Sequence, residues 1–234
     1  MKILFKYATR SRPELFKRGI ESILNNVSNQ YWEKKILVSV DLDDPTAIDA
    51  VRPYYDNDEI VIVFGNSKNK IDAINRDIEL IKDWDILVNM SDDMVFNKKG
   101  FDEIINEQFI NRNETPPINL DLCIHFPDQN QGANCMTMTI VGRDYYLRDN
   151  FIYEPECESL WADIIAQEKA QIRGCYKYVN ENIYLHLHPS FGQAQYDSQY
   201  QRTESMEVRQ RDYATYLKLK AEYDPTNILP IRSI

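Results

Sequence analysis

Residues 84–96 read WDILVNMSDDMVF, an apolar run that stops at Ser91, Asp92 and Asp93 before apolar character resumes. Side chains on a strand alternate between faces, so pairing continued through both aspartates would turn one of them into the core. An unpaired buried carboxylate costs several kcal/mol, a large share of a domain's net stability. The strand is therefore expected to end at Met90 or Ser91, leaving both acids at its carboxyl end, where open α/β sheets bind ligands. Two adjacent carboxylates there make a metal seat, but Ser-Asp-Asp is also ordinary turn chemistry. The stretch by itself leaves both readings open.

Working outward, residues 2–8 read as a strand, and Ser11 with Glu14 gives a capping box with Pro13 in the first turn. Phe16, Ile20, Ile23 and Leu24 recur at helical spacing and predict a helix over residues 12–26. Strands are expected at 35–40 and 59–64, and Ile71, Ile74, Ile78 and Ile81 predict a helix at about 69–82. With the strand at 85–90, this order implies a mostly parallel sheet with crossover helices. Loops leaving its carboxyl ends carry Thr9, Arg10, Asp41, Asp43, Asn66, Lys70, Asp92 and Asp93, so the ligand-bearing groups of the first half converge on one rim. There is no GxGxxG and no GxxxxGK[ST], and only 7 glycines in all, which argues against a dinucleotide dehydrogenase or a P-loop NTPase.

The second half is less regular. A helix is expected at 101–109, a loop at 111–117, and strands at 123–126 and 136–141. A further helix should begin between Glu156 and Asp163 and end near Gly174, which suits a helix stop. Residues 183–188 alternate as a strand, with Tyr184, His186 and His188 on one face. Residues 203–222 look like a charged, Tyr-rich helix ahead of a Pro-containing tail, and residues 193–202 read equally as a mobile lid or a surface loop packed by its tyrosines.

At 234 residues and 43% hydrophobic content, the chain can bury a full core. No apolar run approaches the roughly 20 residues that span a bilayer, and the opening hydrophobic segment is too short for a signal peptide. Cys123, Cys135, Cys157 and Cys175 show no CxxC spacing, which favours reduced thiols and a cytoplasmic setting. A net charge of −10 disfavours nonspecific binding to polyphosphate or anionic membrane. Local basic groups remain: Arg10, Arg12, Lys17 and Arg18 near the start, and Lys68 and Lys70 after the third strand.

Several of these segments, in this order, resemble the GT-A glycosyltransferases, particularly the family-2-like enzymes. KYATRSRPELFKRGIESIL looks like their opening strand, nucleotide loop and helix, and VSVDLDDP like their second-strand acidic turn. SDDM sits where they carry the DXD-type metal motif, and ESLWADIIAQEKAQIRG followed by YLHLHP looks like their acceptor-side acid and late metal-binding histidine. The likeness covers about residues 1–190 and implies a GT-A catalytic domain there, with a nucleotide-sugar half at 1–97, an acceptor half at 98–190 and a C-terminal loop and helix extension at 191–234.

The resemblance places Thr9 and Asp41 at the nucleobase, Arg10 beside them, Lys70 at the diphosphate or ribose, Asp92 at the ribose or sugar, and Asp93 on a divalent metal. Ser91 stands where the motif has its first aspartate, so the metal has fewer protein ligands than a full DXD supplies. His188 is expected to add a neutral imidazole, with diphosphate oxygens and water completing a Mn or Mg shell. His186 is expected to support or pack. Asp163 is the candidate base that takes the acceptor proton, with Glu156 and Glu158 in reserve, although Asp163 reads equally as a plain helix N-cap.

The resulting expectation is a metal-dependent, inverting glycosyltransferase that uses a nucleotide-diphosphate sugar, UDP-linked by preference. Its acceptor is expected to be a hydroxyl, on a glycan by default or on a modified base in phage DNA. A sugar-phosphate nucleotidyltransferase should carry a Gly-rich basic loop after the first strand, and YATRSRP has no glycine. A noncatalytic nucleotide-sugar-binding relative would bind without turnover. A metal-dependent hydrolase built on Asp92, Asp93, His186 and His188 would act without nucleotide.

Overall fold

On the first strand Ile3, Phe5 and Tyr7 join one hydrophobic layer and Leu4 joins the other, so both faces of the strand are covered. Both faces being apolar is what a parallel sheet sandwiched by helices requires. The computed structural model describes residues 1–28, 33–111, 113 and 115–223. In chain order the first half forms β1 (Ile3–Thr9), α1 (Pro13–Asn26), β2 (Lys34–Asp41), α2 (Ala47–Val51), β3 (Ile60–Gly65), α3 (Lys70–Asn75) and β4 (Ile86–Met90). The remainder forms β5 (Met94–Phe96), α4 (Phe101–Gln108), β6 (Cys123–His125), β7 (Ile140–Gly142), α5 (Arg143–Tyr146), α6 (Ala162–Ile172), β8 (Tyr176–Tyr178), β9 (Tyr184–His186), α7 (Ser198–Thr203) and α8 (Met206–Tyr223).

The main sheet runs β3-β2-β1-β4-β7-β6-β8, and β5 pairs with β9 in a separate ribbon. β3, β2, β1 and β4 are parallel, whereas β7 is antiparallel to β4. The chain therefore builds outward from β1 on one side and returns to its other side with β4. That reversal opens a crevice between the carboxyl ends of β1 and β4, the position at which such sheets bind ligands. β4 stops at Met90, before Ser91, Asp92 and Asp93, but both acids are buried all the same, beyond the end of the strand.

α1 lies directly on β1. A Cβ on Gly19 would stand 2.2 Å from the Tyr7 hydroxyl, so the absent side chain is what lets the helix approach. Phe16, Ile20 and Ile23 fill the same layer with Phe96 and Phe101, while Ile71, Ile74, Trp84 and Ile165 cover the opposite face. α8 packs on α6 and is pinned by Asp212, whose buried carboxylate accepts the backbone N–H groups of Glu158, Ser159 and Leu160 at 2.7–2.9 Å. All four cysteines are free, three of them buried. Among the described residues no helix is long and apolar enough to cross a membrane.

Four local expectations are corrected. The capping box does not form: Ser11 has φ +54°, and Asp44 takes both its N–H and its hydroxyl, so Arg12 occupies the cap position without a side-chain bond. The helix expected at 69–82 stops at Asn75, and a 3-10 turn at Ile78–Leu80 carries the rest of the apolar stripe. Of the strand expected at 136–141 only Ile140–Gly142 is paired, and of that at 183–188 only Tyr184–His186. The Pro-containing tail at 224–234 lies outside the described residues.

Candidate active site

The crevice between β1 and β4 is a cleft with about 590 Å³ of free space. At one end Asp41 closes β2. Its Oδ2 accepts from Arg10 Nη1 at 2.9 Å, while its Oδ1 is buried with no hydrogen bond, 4.0 Å from Arg76 Nη2. Arg10 also grips Asp43, so its guanidinium holds the acidic turn together. Beneath this end runs a buried polar relay. Lys6 Nζ donates to Ser39 Oγ, Ser39 donates to Asp77 at 2.6 Å, and Arg76 joins Asp77 at 2.7 Å and the Val40 carbonyl at 2.9 Å. Burial pushes the Lys6 ammonium down to about 7, with the Asp77 charge opposing. α3 ends at this relay: Arg76 is already extended, at ψ +160°, and Asp77, which accepts from Ser39, follows at φ +72°, so neither residue continues the helix.

Further along the cleft, Asp92 and Asp93 are both buried, at 6% and 5% exposure, and burial treats them differently because their partners differ. Asp92 is raised to about 7 by burial, against the pull of Arg12 and Thr9, and its Oδ1 has no partner. Asp93 suffers the same desolvation, but His186, Lys70 and the Ser91 hydroxyl hold it well below the usual carboxylate range. Its Oδ1 accepts from Ser91, and its Oδ2 accepts from the Tyr200 hydroxyl at 2.8 Å and lies 3.4 Å from His186 Nε2. The β5–β9 ribbon sets this last neighbour: Met94 pairs with His186, and the Leu187 N–H donates to the Asp93 carbonyl at 2.7 Å.

The other nitrogen of His186 faces the Asp128 carboxylate at 3.3 Å. Burial lowers the His186 pKa, but the two flanking carboxylates outweigh it and raise the imidazole to about 9. His188, the ligand expected from the sequence, lines the same cleft as Asp93 and His186; its Nε2 lies 3.1 Å from Glu204 and its Nδ1 accepts from the Ser190 N–H.

A second cleft of about 660 Å³ adjoins the first and shares Lys70, Asp93 and Tyr200 with it. Asp163 stands there with His186 and His188. It belongs to the first turn of α6, while Trp161, at φ +62°, occupies the cap position. The Asp163 carboxylate accepts from its neighbour's N–H at 2.8 Å and from the Cys135 thiol at 3.2 Å. The two reserve acids are committed to α8, Glu156 to Lys218 and Glu158 to Arg211.

Thus one cleft gathers Thr9, Arg10, Asp41, Lys70, Asp92 and Asp93, and the adjoining one gathers Asp163 and His188. Residues that the sequence reading left without a site role also belong here. α7 lies across the rim: Asp197 caps it and takes both arms of the Arg12 guanidinium, which stacks 4.1 Å from the Tyr200 ring, and Arg202 lines the cleft. The only sequence signal for this was Asp197-Ser198, an N-cap pattern. Among the described residues, no three His, Cys, Asp or Glu side chains stand close enough to hold a metal ion by themselves.

No protein-family profile matches the chain, and no curated protein matches it in sequence. Solved structures do match in shape. S. aureus TarS superposes with a TM-score of 0.60 at 11% identity, covering 97% of this chain, which spans 45% of that one. TarS 1-349 in complex with UDP-GlcNAc gives 0.58 at 13% identity, covering 97% of this chain and 74% of that one. The mannosyltransferase PcManGT from Pyrobaculum calidifontis, in complex with GDP-Man and Mn2+, gives 0.59 at 8% identity, covering 94% and 74%. The chain has a GT-A fold.

Proposed function

We propose that this chain is a metal-dependent, inverting glycosyltransferase that moves a sugar from a UDP-linked donor to an acceptor hydroxyl. The observation that carries the reading is a pair of buried acceptors in one cleft that receive no hydrogen bond, Asp41 Oδ1 and Asp92 Oδ1, the first with only the Arg76 guanidinium 4.0 Å away. Buried polar atoms are rarely left unpaired. A nucleotide sugar brings the matching donors, a base N–H for Asp41 and ribose or sugar hydroxyls for Asp92. Arg12, Lys70 and Arg202 line the same cleft and supply the charge a diphosphate needs in an otherwise acidic protein. The neighbours in complex with UDP-GlcNAc, and with GDP-Man and Mn2+, support the same class of ligand.

The donor set suits Mn or Mg. Asp93 offers a hard carboxylate oxygen and His186 an imidazole, and such ions take their remaining ligands from substrate phosphate and water. In this reading Asp93 and His186 hold the ion, and His188 replaces His186 only if its contact with Glu204 opens. The bound ion supplies Lewis-acid stabilisation of charge on the departing diphosphate.

Asp163 accepts the proton of the acceptor hydroxyl as that oxygen attacks the anomeric carbon from the face opposite the leaving group. The bond from the anomeric carbon to the phosphate oxygen breaks, and the nucleoside diphosphate leaves with its electron pair, beside the Lys70 ammonium. Direct displacement inverts the anomeric centre. A glycan is the acceptor class we favour, and free thiols suit a cytoplasmic setting.

The test is nucleotide release from UDP-GlcNAc, UDP-glucose, UDP-galactose and GDP-mannose, each with Mn2+ and with EDTA. Slow, Mn-dependent release of UDP from at least one donor is expected. Absence of both release and binding for every nucleotide sugar would sink the reading.

A further inference from the structure

Asp128 lies outside every motif in the sequence, yet it is among the most buried carboxylates of the chain, at 0% exposure. Its Oδ1 accepts the backbone N–H groups of Asn130 and Gln131 at 2.9 and 2.6 Å, and its Oδ2 takes the Thr137 hydroxyl at 3.2 Å and faces His186 Nδ1 at 3.3 Å. The same loop also holds the backbone of His186, because Asn130 Nδ2 donates to the His186 carbonyl at 2.8 Å. The imidazole is therefore gripped from its main chain and from its far nitrogen, while its near nitrogen points at Asp93.

We propose that Asp128 is a positioning residue that sets the tautomer and ring orientation of His186, so that Nε2 presents its lone pair beside the Asp93 carboxylate. The inference rests on the metal-dependent reading above. With Nδ1–H donated to Asp128, Nε2 and Asp93 Oδ2 face each other across 3.4 Å, and a divalent cation would take the place of the proton that bridges them in the metal-free site. A divalent cation is the partner both can share. Carboxylates behind a liganding histidine fix its tautomer and raise its basicity, and their loss weakens metal binding by about 10- to 100-fold. Asp128 pays for its burial through its backbone N–H contacts, so its place does not depend on the metal.

The test measures free Mn2+ by electron paramagnetic resonance in mixtures of the full chain with saturating UDP. Wild type, Asp128→Asn, His186→Ala and the double variant are compared. Asp128→Asn should weaken Mn2+ binding by about 10- to 100-fold and leave metal-free UDP binding within about twofold. In the His186→Ala background it should have no further effect, which a general loss of structure would not reproduce. Should Asp128→Asn fail to fold, 15N spectra of wild type with Mg2+ and UDP decide: a protonated Nδ1 and a bare Nε2 on His186 are expected. Unchanged Mn2+ affinity in Asp128→Asn, an equal loss in the His186→Ala background, or an Nε2-protonated His186 overturns the proposal. Absence of any UDP-supported Mn2+ binding by wild type overturns the metal-dependent reading itself and the proposal with it.

Discussion

The Tyr200 hydroxyl donates to Asp93 Oδ2 at 2.8 Å, and so stands on the carboxylate oxygen that also faces His186. Tyr200 is only 4% exposed and is stacked under Arg12, which Asp197 anchors in turn. A helix from beyond the sequence likeness, which ends at about residue 190, thus touches the proposed metal seat and Arg12.

Entry of a metal–nucleotide complex has to break or bypass that bond. Tyr200→Phe removes the hydroxyl and keeps the ring under Arg12, so UDP–Mn2+ should bind several-fold tighter, while stability falls by about 1.5–3 kcal/mol for the lost hydrogen bond to a charged group. Titration calorimetry and urea denaturation check the two halves. Weaker binding in the variant would mean that Tyr200 keeps its place in the liganded state and helps to hold the complex.

Asp163 is half-buried, on the wall of the cleft that adjoins Asp93. Asp163→Asn should lower the transfer rate by about 10²- to 10⁴-fold, the usual worth of a general base, with UDP–Mn2+ affinity unchanged. An equal loss of nucleotide affinity would assign Asp163 to donor binding instead.

Asp41 Oδ1 is the buried acceptor at one end of the cleft that receives no hydrogen bond. A hydrogen bond to a charged group contributes about 1.5–3 kcal/mol, so Asp41→Ala should weaken UDP binding by roughly 10- to 100-fold. The dependence on Mn2+ should survive, because Asp41 and Asp93 serve opposite ends of the ligand. Calorimetry with and without metal separates the two.

Lys6 predicts a pH dependence of stability. Its folded pKa of about 7 lies below the unfolded value of about 10.4. Between those values the unfolded chain binds a proton that the folded chain does not, so stability rises with pH there, by up to about 1.4 kcal/mol per unit. Below pH 7 the full burial cost remains. Lys6→Met, with Arg76 still paired to Asp77, should therefore stabilise most at pH 6 and progressively less toward pH 10 in urea denaturation. A gain that is constant across pH would show that the burial of charge is not the cause.

The parallel half of the fold was legible because β1, β2 and β4 are buried on both faces and the crossover helices α1 and α3 carry an apolar stripe. The convergence of Thr9, Asp41, Lys70, Asp92 and Asp93 followed from strand order alone. What could not be read were choices made by tertiary partners. Ile78 and Ile81 extend a helical period, but Arg76 is extended beside Val40 and Asp77, and the helix breaks before them. Ser11 has the right spacing to cap α1, but Asp44 takes it first. His186 and His188 alternate identically in sequence. Their different fates depend on the β5–β9 register and on Glu204, a residue of the segment whose role was left open. Asp128 and Tyr200 had no motif to announce them.

The central claim is that the crevice between β1 and β4 binds a nucleoside diphosphate through a cation seated on Asp93. Thermal unfolding of wild type and Asp93→Ala with UDP, GDP, CDP and dTDP, each with and without Mn2+, tests it directly, because a ligand bound only by the native state raises the midpoint. The account predicts a rise for UDP that requires Mn2+ and disappears in Asp93→Ala. No nucleotide-dependent rise at about 1 mM, where even weak binding registers, or a rise that Asp93→Ala leaves intact, would contradict it.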